Sequence, residues 1–483
     1  MKNPMKALLI AGLTASLLLT SACRNQRQLE NTSDVAPDVI SDEVEVKLGA
    51  YKTDLSDSSR ASASSQGMKD YLVHWAAAKG ITCKTDKKGN VYMRSRATSG
   101  YEEAAPVVLV CPYDSRQADT YINPMAMALY AIKNSTVHSA FTVIFTPEYG
   151  NDFSGVQSLK KTYFPDDARV FVLNGSQKGR YSLNAGGSTV FRFTQKIRYR
   201  KPEYTKAYRI TISNLEGGQS TTEMNVKVNP ILRLQSLLTS LTSSNIPYEL
   251  ASISGGAGGA MVPTSCQMTI VVNADKEKQF ITKMEAATDR FNQDKAKRHP
   301  GAVYNCVSVD LPKKVIATED SQQFVNFMYT LLKGTYYKED GNVITTNNIT
   351  SVQSSGNQIA IGSVCYSLDQ AKMNEVRKAE RTLCGLSDAH YSVVRTIPIW
   401  KGPAEDSQFA KTLKTSYRAY TKTGLAFSDS IVSSNANYIQ KINSKCQIVT
   451  LNVSANVLTD CTGSFMKFLI GNTPNAGRRA LFR

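Results

Sequence analysis

The chain has 483 residues, of which 42% are hydrophobic and 20% are charged. This balance excludes an intrinsically disordered chain, and the length is sufficient for two or three domains with a large core. The formal net charge of +17 favours contact with anionic partners such as lipid headgroups, acidic glycans or nucleic acid, although it carries no information about the fold.

The amino terminus has the pattern of an export signal. Lys2 and Lys6 form a positive region, and residues 7–19 are an apolar run too short to span a bilayer. Residues 20–22 are small and precede Cys23, as in a bacterial lipobox. We therefore expect residues 1–23 to be a lipoprotein signal peptide, with Cys23 acylated and the protein anchored in the outer membrane, on its periplasmic or surface face. An ordinary signal peptide cleaved nearby is the alternative, and either implies export to the cell envelope.

The remaining cysteines are widely spaced and contain no CxxC motif. They are Cys83, Cys111, Cys266, Cys306, Cys365, Cys384, Cys446 and Cys461. An even number in an oxidising compartment permits disulfides, and buried free thiols are the alternative. Cys83 and Cys111 are expected on adjacent core strands.

The first part of the mature chain is predicted to be a flexible tether and then an α/β body. Residues 24–50 are polar with little periodicity, which is typical of a flexible segment. Met68, Leu72 and Trp75 recur at helical spacing, and Gly80 is placed to end that helix.

A buried strand follows a hairpin. Residues 86–90 (DKKGN) predict a turn into a short strand over 91–93, and residues 107–111 (VVLVC) are a continuous apolar run typical of a strand covered on both faces. The carboxyl end of such a strand, here Pro112 to Asp114, is where open α/β sheets bind ligands.

Alternation of strands and helices then predicts the fold class. A helix over 125–132 and strands over 141–145, 170–173 and 448–451 indicate a doubly wound, mostly parallel sheet. Between them the pattern changes to the strands 191–194, 207–212, 266–272 and 359–365 and the helices 231–241 and 276–290. We therefore predict an α/β domain formed by 51–187 and 395–483, with an inserted α+β lid domain over 188–394.

Four segments carry a resemblance to a known family. They are residues 71–114, the LEGGQS sequence at 215–220, the GGAGGAMVP sequence at 255–263, and the IPIW sequence at 397–400. In this order they resemble the aminoacyl-histidine dipeptidases, which are carnosinase-type two-zinc metallopeptidases, over most of the chain after about residue 60. The resemblance implies a catalytic domain with an inserted lid, and a possible homodimer through that lid.

The resemblance also implies where the zinc ligands would lie. The family's first ligand His falls on Pro112, whereas the Asp that orients this His is present as Asp114. The bridging Asp falls near Thr120, with Asp119 one place away. Proline cannot ligate zinc, so the first position is degenerate.

The other catalytic positions differ from the family in the same way. The Glu-Glu pair, general base and then ligand, falls on Tyr149 and Gly150, with Glu148 one place away. The next ligand Asp falls at 174 or 175, and the lid His that polarises the scissile carbonyl falls on Gln219.

The substrate-binding and final ligand positions complete the set. The Arg-Asn pair that grips substrate falls on Gly259 and Ala260, the His-Ala-Gly-Leu-Glu stretch on residues 430–434, and the final ligand His near 457–458. We treat six residues as remnants of a substrate cleft: Asp114, Asp119, Glu148, Gln219, Gly259 and Ala260. The four histidines, His74, His138, His299 and His390, lie away from the ligand positions and are interpreted as surface or packing residues.

Two functions remain open. The first is a pseudoenzyme that binds a ligand without hydrolysis and uses no metal or other cofactor; its partner would be an envelope protein, a peptide or an acidic glycan, with no nucleic acid expected. The second is a hydrolase with an altered or single-metal zinc site around Asp114, Asp119 and Glu148. Cys111 is interpreted as a structural thiol because no His or basic partner is recognisable.

A basic, tyrosine-rich run over residues 196–209 offers one further surface. Its cations and tyrosines alternate along the chain, which suits the binding of acidic polymers. The alternative is an ordinary solvated hairpin.

Overall fold

The structure, a computed structural model, describes residues 37–61, 64–113, 118–148, 153–175, 180–217, 228–256, 261–295 and 299–473. Several predicted site residues lie outside this description: Cys23, Asp114, Tyr149, Gly150, Gln219, Gly259 and Ala260. Of Asp119 and Thr120, only the helical backbone is described. In the described part of the chain, no helix combines the length and the hydropathy that crossing a membrane requires.

The first half of the α/β domain alternates helices with strands. Its elements are Pro37–Ala61 (α1), Ser65–Ala78 (α2), Thr82–Thr85 (β1), Val91–Ser95 (β2), Val107–Tyr113 (β3), Ala118–Asn134 (α3), Phe141–Pro147 (β4), Ser154–Gln157 (α4), Arg169–Gly175 (β5), Arg180–Ser182 (β6) and Asn184–Ala185 (β7). The predicted hairpin is β1 and β2, joined by a turn in which Gly89 has a φ of +91°.

The lid elements follow. They are Gly187–Lys196 (β8), Tyr199–Arg200 (β9), Lys206–Ser213 (β10), Pro230–Ser243 (α5), Tyr248–Gly255 (β11), Cys266–Val272 (β12), Glu277–Lys295 (α6), Val303–Ser308 (β13), Val315–Ile316 (β14), Thr318–Thr330 (α7), Gly334–Glu339 (β15), Asn342–Ser355 (β16), Gln358–Ser367 (β17), Gln370–Leu386 (α8) and His390–Ile397 (β18). The chain then returns to the first domain with Trp400–Lys401 (β19), Gln408–Thr421 (α9), Asn435–Ile442 (α10), Gln447–Val453 (β20) and Leu458–Gly471 (α11).

The α/β domain is built on a seven-stranded sheet of the described residues, in the order β1-β2-β4-β3-β5-β20-β6. The four central strands are parallel to one another, and the edge strands are antiparallel. Every residue of β3 is buried, and its side chains alternate between two apolar clusters, one on each face of the sheet. The prediction of a doubly wound, mostly parallel sheet is confirmed.

The lid contains a nine-stranded antiparallel sheet among the described residues, in the order β13-β10-β12-β11-β16-β17-β8-β18, with β15 paired to β16. One face of this sheet packs on helices α5, α6, α7 and α8 through a single apolar cluster. The alternation of side chains along strand β10 shows why only one face packs on the helices. Tyr208, Ile210 and Ile212 are buried on the helix side, whereas Arg209, which lies between Tyr208 and Ile210, is exposed.

The predicted flexible tether over residues 24–50 is wrong in its second half. Residues 37–50 belong to helix α1, which packs against α3 and α11. Val44, Leu48 and Leu55 are buried at spacings of four and seven residues and form one apolar side of this helix. Glu43 and Glu45, two of the polar residues that suggested a tether, are exposed on the other sides of this helix.

The cysteines that the structure describes are all free. Cys83 and Cys111, expected on adjacent strands, are separated by β2 and β4, because β3 enters the centre of the sheet rather than pairing with the hairpin. The sequence left disulfides and buried free thiols as alternatives, and in the structure the described cysteines are buried or half-buried free thiols.

Candidate functional site

The carboxyl ends of the parallel strands meet at one edge of the α/β sheet, as the sequence predicts for the site. Tyr113 at the end of β3 faces Pro147 at the end of β4, and Val453 at the end of β20 faces Gly175 at the end of β5. This edge is the usual ligand position in open α/β sheets. Asp114, Tyr149 and Gly150 follow these ends in the chain and lie outside the described residues.

Pro112 is the residue on which the resemblance places the family's first zinc ligand. It is buried and lies opposite Thr146 in the parallel register of β3 and β4. Its pyrrolidine ring carries no donor for a metal, and the two strands hold it in place. If the family's ligand position were aligned one residue earlier or later, it would fall on Cys111 or Tyr113. Neither residue carries an imidazole.

Glu148 is the carboxylate that the structure places at this edge. It is 4% exposed, and its backbone N–H donates a hydrogen bond of 2.8 Å to the carbonyl oxygen of Tyr113. The backbone of Glu148 therefore lies beside Tyr113, the residue that precedes Asp114.

The segment at the His-Ala-Gly-Leu-Glu position, residues 430–434, forms packing contacts. The N–H of Gly186 donates to the carbonyl oxygen of Ser430 at 2.7 Å, and the Ser433 hydroxyl donates to the carbonyl oxygen of Gly186 at 2.8 Å. Ser434 caps helix α10 through the N–H of Ala436. The serines thus join the segment to the domain boundary instead of presenting carboxylate or imidazole groups.

Asn435 is a buried polar residue that sequence reasoning missed. Its side-chain N–H donates to the Thr146 hydroxyl at 3.2 Å, so it connects the start of α10 to the end of β4. The only signal in the sequence is its position directly after the N-cap serine of the helix, which predicts a helix start and not a site.

The last two ligand positions also lack zinc donors of the expected kind. Asn174 and Gly175 end strand β5 and are half-buried. Leu458 is 4% exposed and packs in the main apolar cluster of the sheet, with Val457 against its margin. A residue that fills the core in this way cannot be exchanged for a metal ligand without repacking.

Cys111 is not placed to act as a nucleophile. Its side chain is fully buried, and burial, reinforced by the negative charge of Glu148, raises the pKa of the Cys111 thiol well above its ordinary value. A thiol in this state is unreactive at neutral pH. The interpretation of Cys111 as a structural thiol agrees with this environment.

The four histidines lie apart from the strand ends. His74 is exposed on α2, and His390 is exposed on the lid strand β18. His138 is buried, with its ring nitrogens 2.7 Å from the Ser139 carbonyl oxygen and 3.2 Å from the Ser95 hydroxyl. His299 is buried in the lid, and neither ring nitrogen has a partner among the described residues.

The described residues do not by themselves form the site that the family's pair of zinc ions requires. A two-zinc centre needs several imidazole and carboxylate ligands in a fixed geometry, one carboxylate bridging the ions. Within the described ranges, His, Cys, Asp and Glu nowhere form a group of three or more that could hold a metal. The proline at 112 and the core leucine at 458 explain why the described strand ends supply so few donors.

Three of the six cations in the basic run over residues 196–209 are paired with neighbouring carboxylates. Arg198 pairs with Asp320 at 2.7 Å, Arg200 with Glu249 at 2.6 Å, and Lys206 with Glu277 at 3.3 Å. This part of the lid is therefore a salt-bridged hairpin, which is closer to the interpretation as an ordinary solvated hairpin than to that as a binding surface for acidic polymers.

Comparison with known proteins finds dipeptidases among the proteins that this chain is similar to. No protein-family model matches the chain. The cytosol non-specific dipeptidase of Escherichia coli K12 is 21% identical over 392 residues, which cover 74% of this chain and 81% of that protein. The crystal structure of aminoacylhistidine dipeptidase from Vibrio alginolyticus superimposes with a TM-score of 0.61 at 18% identity and covers 84% of this chain and 92% of that one. Human carnosine dipeptidase 1 gives a TM-score of 0.48 at 10% identity, covering 90% and 98%.

These relatives correct the expectation about cofactors. The sequence led us to expect none, but the proteins matched are dipeptidases, and zinc is the metal that the two-zinc family normally uses. The expectation of no cofactor was drawn from the missing ligands alone, and the relationship overturns it. What the structure adds is that the described residues do not reproduce the family's own ligand set.

Proposed function

Because the chain belongs by sequence relationship and by fold with the aminoacyl-histidine dipeptidases, we propose that it is an exported, lipid-anchored member that binds a ligand without hydrolysing peptides. The ligand would be a peptide, an acidic glycan or another protein of the cell envelope. A homodimer through the lid is part of the proposal. Fold alone does not decide activity, so the argument depends on the site residues.

The observation that supports the loss of hydrolysis is Pro112. In the family, the residue at this position is the first ligand of the ions that activate the attacking water. Here it is a buried proline of β3 that lies opposite Thr146 of β4, and the stretch at 430–434 contributes serines to packing. Peptide hydrolysis would need a water activated by other groups.

We expect the purified protein, supplied with zinc, to hydrolyse a panel of dipeptides at least about a thousandfold more slowly than the E. coli dipeptidase. The reason is the missing first ligand, since binding alone leaves the barrier of the chemical step unchanged. Release of free amino acids, followed by mass spectrometry, is the measurement. Activity within tenfold of the relative's would overturn the proposal.

A second function, an altered metal-dependent dipeptidase, is favoured by one observation. Glu148 is a buried carboxylate at the strand ends, beside the backbone that leads to Asp114. A Glu in such a place could take a proton from water. Glu148→Gln distinguishes the two functions. If the protein is an altered dipeptidase, the substitution abolishes dipeptide hydrolysis; if it is a binding protein, the background rate of hydrolysis stays the same. Gln219→Ala, in the family's lid-histidine position, is the companion variant.

Anchoring through Cys23 is the second part of the proposal, and the pattern of residues 1–23 supports it. We expect the wild-type protein to incorporate radiolabelled palmitate and to sediment with membranes, whereas Cys23→Ser incorporates none and moves to the soluble fraction. A myristoyl- or palmitoyl-type chain is the kind of group that confers such partitioning. Cys83→Ser is the matched control and should behave as wild type. Membrane retention of Cys23→Ser would refute the anchor.

A further inference from the structure

A groove lies on the lid sheet, on the face opposite its helices. We call it the lid groove. It has a volume of about 890 Å³ and is lined by Tyr199, Arg209, Ala251, Ser252, Thr269, Ser308, Val309, Asp310, Pro312, Lys313, Lys314, Ser354, Ser355 and Gly356. This is within the size range of ligand sites in proteins. All of these residues belong to the lid, so the groove is separate from the strand ends of the α/β sheet.

The floor of the lid groove is a row of polar side chains on three adjacent strands. Arg209 on β10 faces Thr269 on β12, and Thr269 faces Ser252 on β11. Side chains on one face of neighbouring strands stand about 5 Å apart, so the guanidinium and the two hydroxyls can contact one ligand together. The alternation of the strands explains the row, since the neighbours of Arg209 in sequence point to the core.

Two chain segments form the walls. Residues 310–314 form the wall on one side. They follow Val309, whose N–H donates a hydrogen bond of 3.0 Å to the carbonyl oxygen of Ala207. On the other side stands the turn between β16 and β17, with Ser354, Ser355 and Gly356. The Ser354 hydroxyl is fixed by hydrogen bonds to the backbone of Ile253, at 2.9 Å and 3.1 Å.

The charge of the lid groove is positive and unpaired. Arg209 and Lys313 are exposed, and Lys314 is held over the ring of Tyr199, its Nζ 3.7 Å from the ring centroid. None of these three cations has an ion-pair partner among the residues that the structure describes, whereas Arg198, Arg200 and Lys206 next to them are each paired. Asp310 is the single carboxylate in the lining. Free cations at one groove beside neutralised ones mark it as the place for an anion.

We propose that the lid groove binds an acidic oligosaccharide. Carboxylates of such a sugar would meet Arg209, Lys313 and Lys314, and its hydroxyls would bond to Ser252, Thr269, Ser308 and Ser355. A peptide is disfavoured because β10 and β12 are paired on both sides, which leaves no strand edge on the floor for backbone addition. The proposal assigns the binding role described above to a particular surface and a particular class of ligand. It rests on the proposed function in one respect, the export that would bring the protein to such a glycan.

The test uses the purified protein and a fluorescently labelled oligogalacturonate, measured by anisotropy. We expect saturable binding that Lys313→Glu/Lys314→Glu weakens at least about tenfold, a change of 1.4 kcal/mol in binding. Lys338→Glu/Lys378→Glu, an equal change of charge at exposed lid residues outside the groove, should alter affinity less than about twofold. Thr269→Val keeps the shape and the charge and should weaken binding severalfold, because it removes a floor hydroxyl.

Three further outcomes decide between ligand classes. Equal effects of the two lysine pairs would show that overall charge alone attracts the polymer and would overturn the proposal. Polyglutamate of equal charge, if it binds as tightly, would overturn the assignment to a sugar. A wild-type protein that does not bind oligogalacturonate would refute the proposal while leaving the absence of peptide hydrolysis untouched, because that is measured by the dipeptide assay.

Discussion

Glu380→Gln should abolish most of the loss of stability that the protein shows as the pH rises from about 5 to about 9. Glu380 is 0% exposed on helix α8. One oxygen accepts a hydrogen bond of 2.6 Å from the side-chain N–H of Asn347, and the other has no partner among the described residues. A charged carboxylate in this place is poorly compensated.

The direction in which the pKa of Glu380 is shifted determines whether the free energy of unfolding rises or falls with pH. Burial raises the pKa of Glu380 from its ordinary 4.5 to about 8, opposed by hydrogen bonds from the Asn347 side chain and the Leu332 backbone and by the charge of Lys333. A carboxyl whose pKa is higher in the folded state binds its proton more tightly there. Its contribution to stability is complete below about pH 4.5 and is lost as the pH rises through about 8, by up to about 4 kcal/mol.

The measurement is urea unfolding at pH 5, 7 and 9 for the wild type and for Glu380→Gln. Glutamine has the shape of the protonated carboxyl and cannot ionise, so the variant should match the wild type at pH 5 within about 1 kcal/mol and exceed it at pH 9. Glu375→Gln, which removes an exposed carboxylate from the same helix, is the control and should leave the pH dependence unchanged. Parallel curves for the wild type and Glu380→Gln would contradict the prediction.

Phe171→Ala should lower the free energy of unfolding by about 3–5 kcal/mol. Phe171 is 1% exposed on the central strand β5, and its ring meets the rings of Phe409, Phe465 and Phe468 at 4.8–5.8 Å. These three residues lie on α9 and α11, so the ring joins the sheet to the helices that the chain contributes after the lid. Alanine would leave a cavity between elements that cannot close over it.

The matched control is Phe427→Ala, in which a half-buried ring at the margin of the same cluster is removed. We expect it to cost about 1 kcal/mol, since less apolar surface returns to water. Denaturant unfolding monitored by circular dichroism provides both values. If Phe171→Ala cost no more than Phe427→Ala, the packing of α9 and α11 on β5 would not be the main support of the second half of this domain.

The fold of the α/β domain could be predicted because its strands are buried on both faces. Residues 107–111 are apolar at every position and residues 448–451 at every position except Thr450, and such runs between helices have few other interpretations. The helix over 37–61 could not be predicted in the same way. Its buried residues, Val44, Leu48 and Leu55, are separated by polar ones, and packing against α3 and α11 gives them a core to face.

The site was less predictable than the fold. The identities of Pro112 and Leu458 already exclude ligands of the family's kind, but their burial, and the use of the serines at 430–434 in packing, required the structure. Buried Glu380 and the row from Arg209 to Ser252 gave no signal, because each depends on side chains that are far apart in sequence and meet across strands and helices.

The central claim, that this dipeptidase fold no longer cleaves peptides, is tested most directly by a single-turnover experiment. The protein is held in excess over a mixture of dipeptides, with zinc present, and the mixture is followed by mass spectrometry for hours. Our account predicts that every dipeptide remains intact, as it does with Glu148→Gln. Conversion of any dipeptide to free amino acids at a rate that Glu148→Gln abolishes would contradict it and would establish the altered dipeptidase instead.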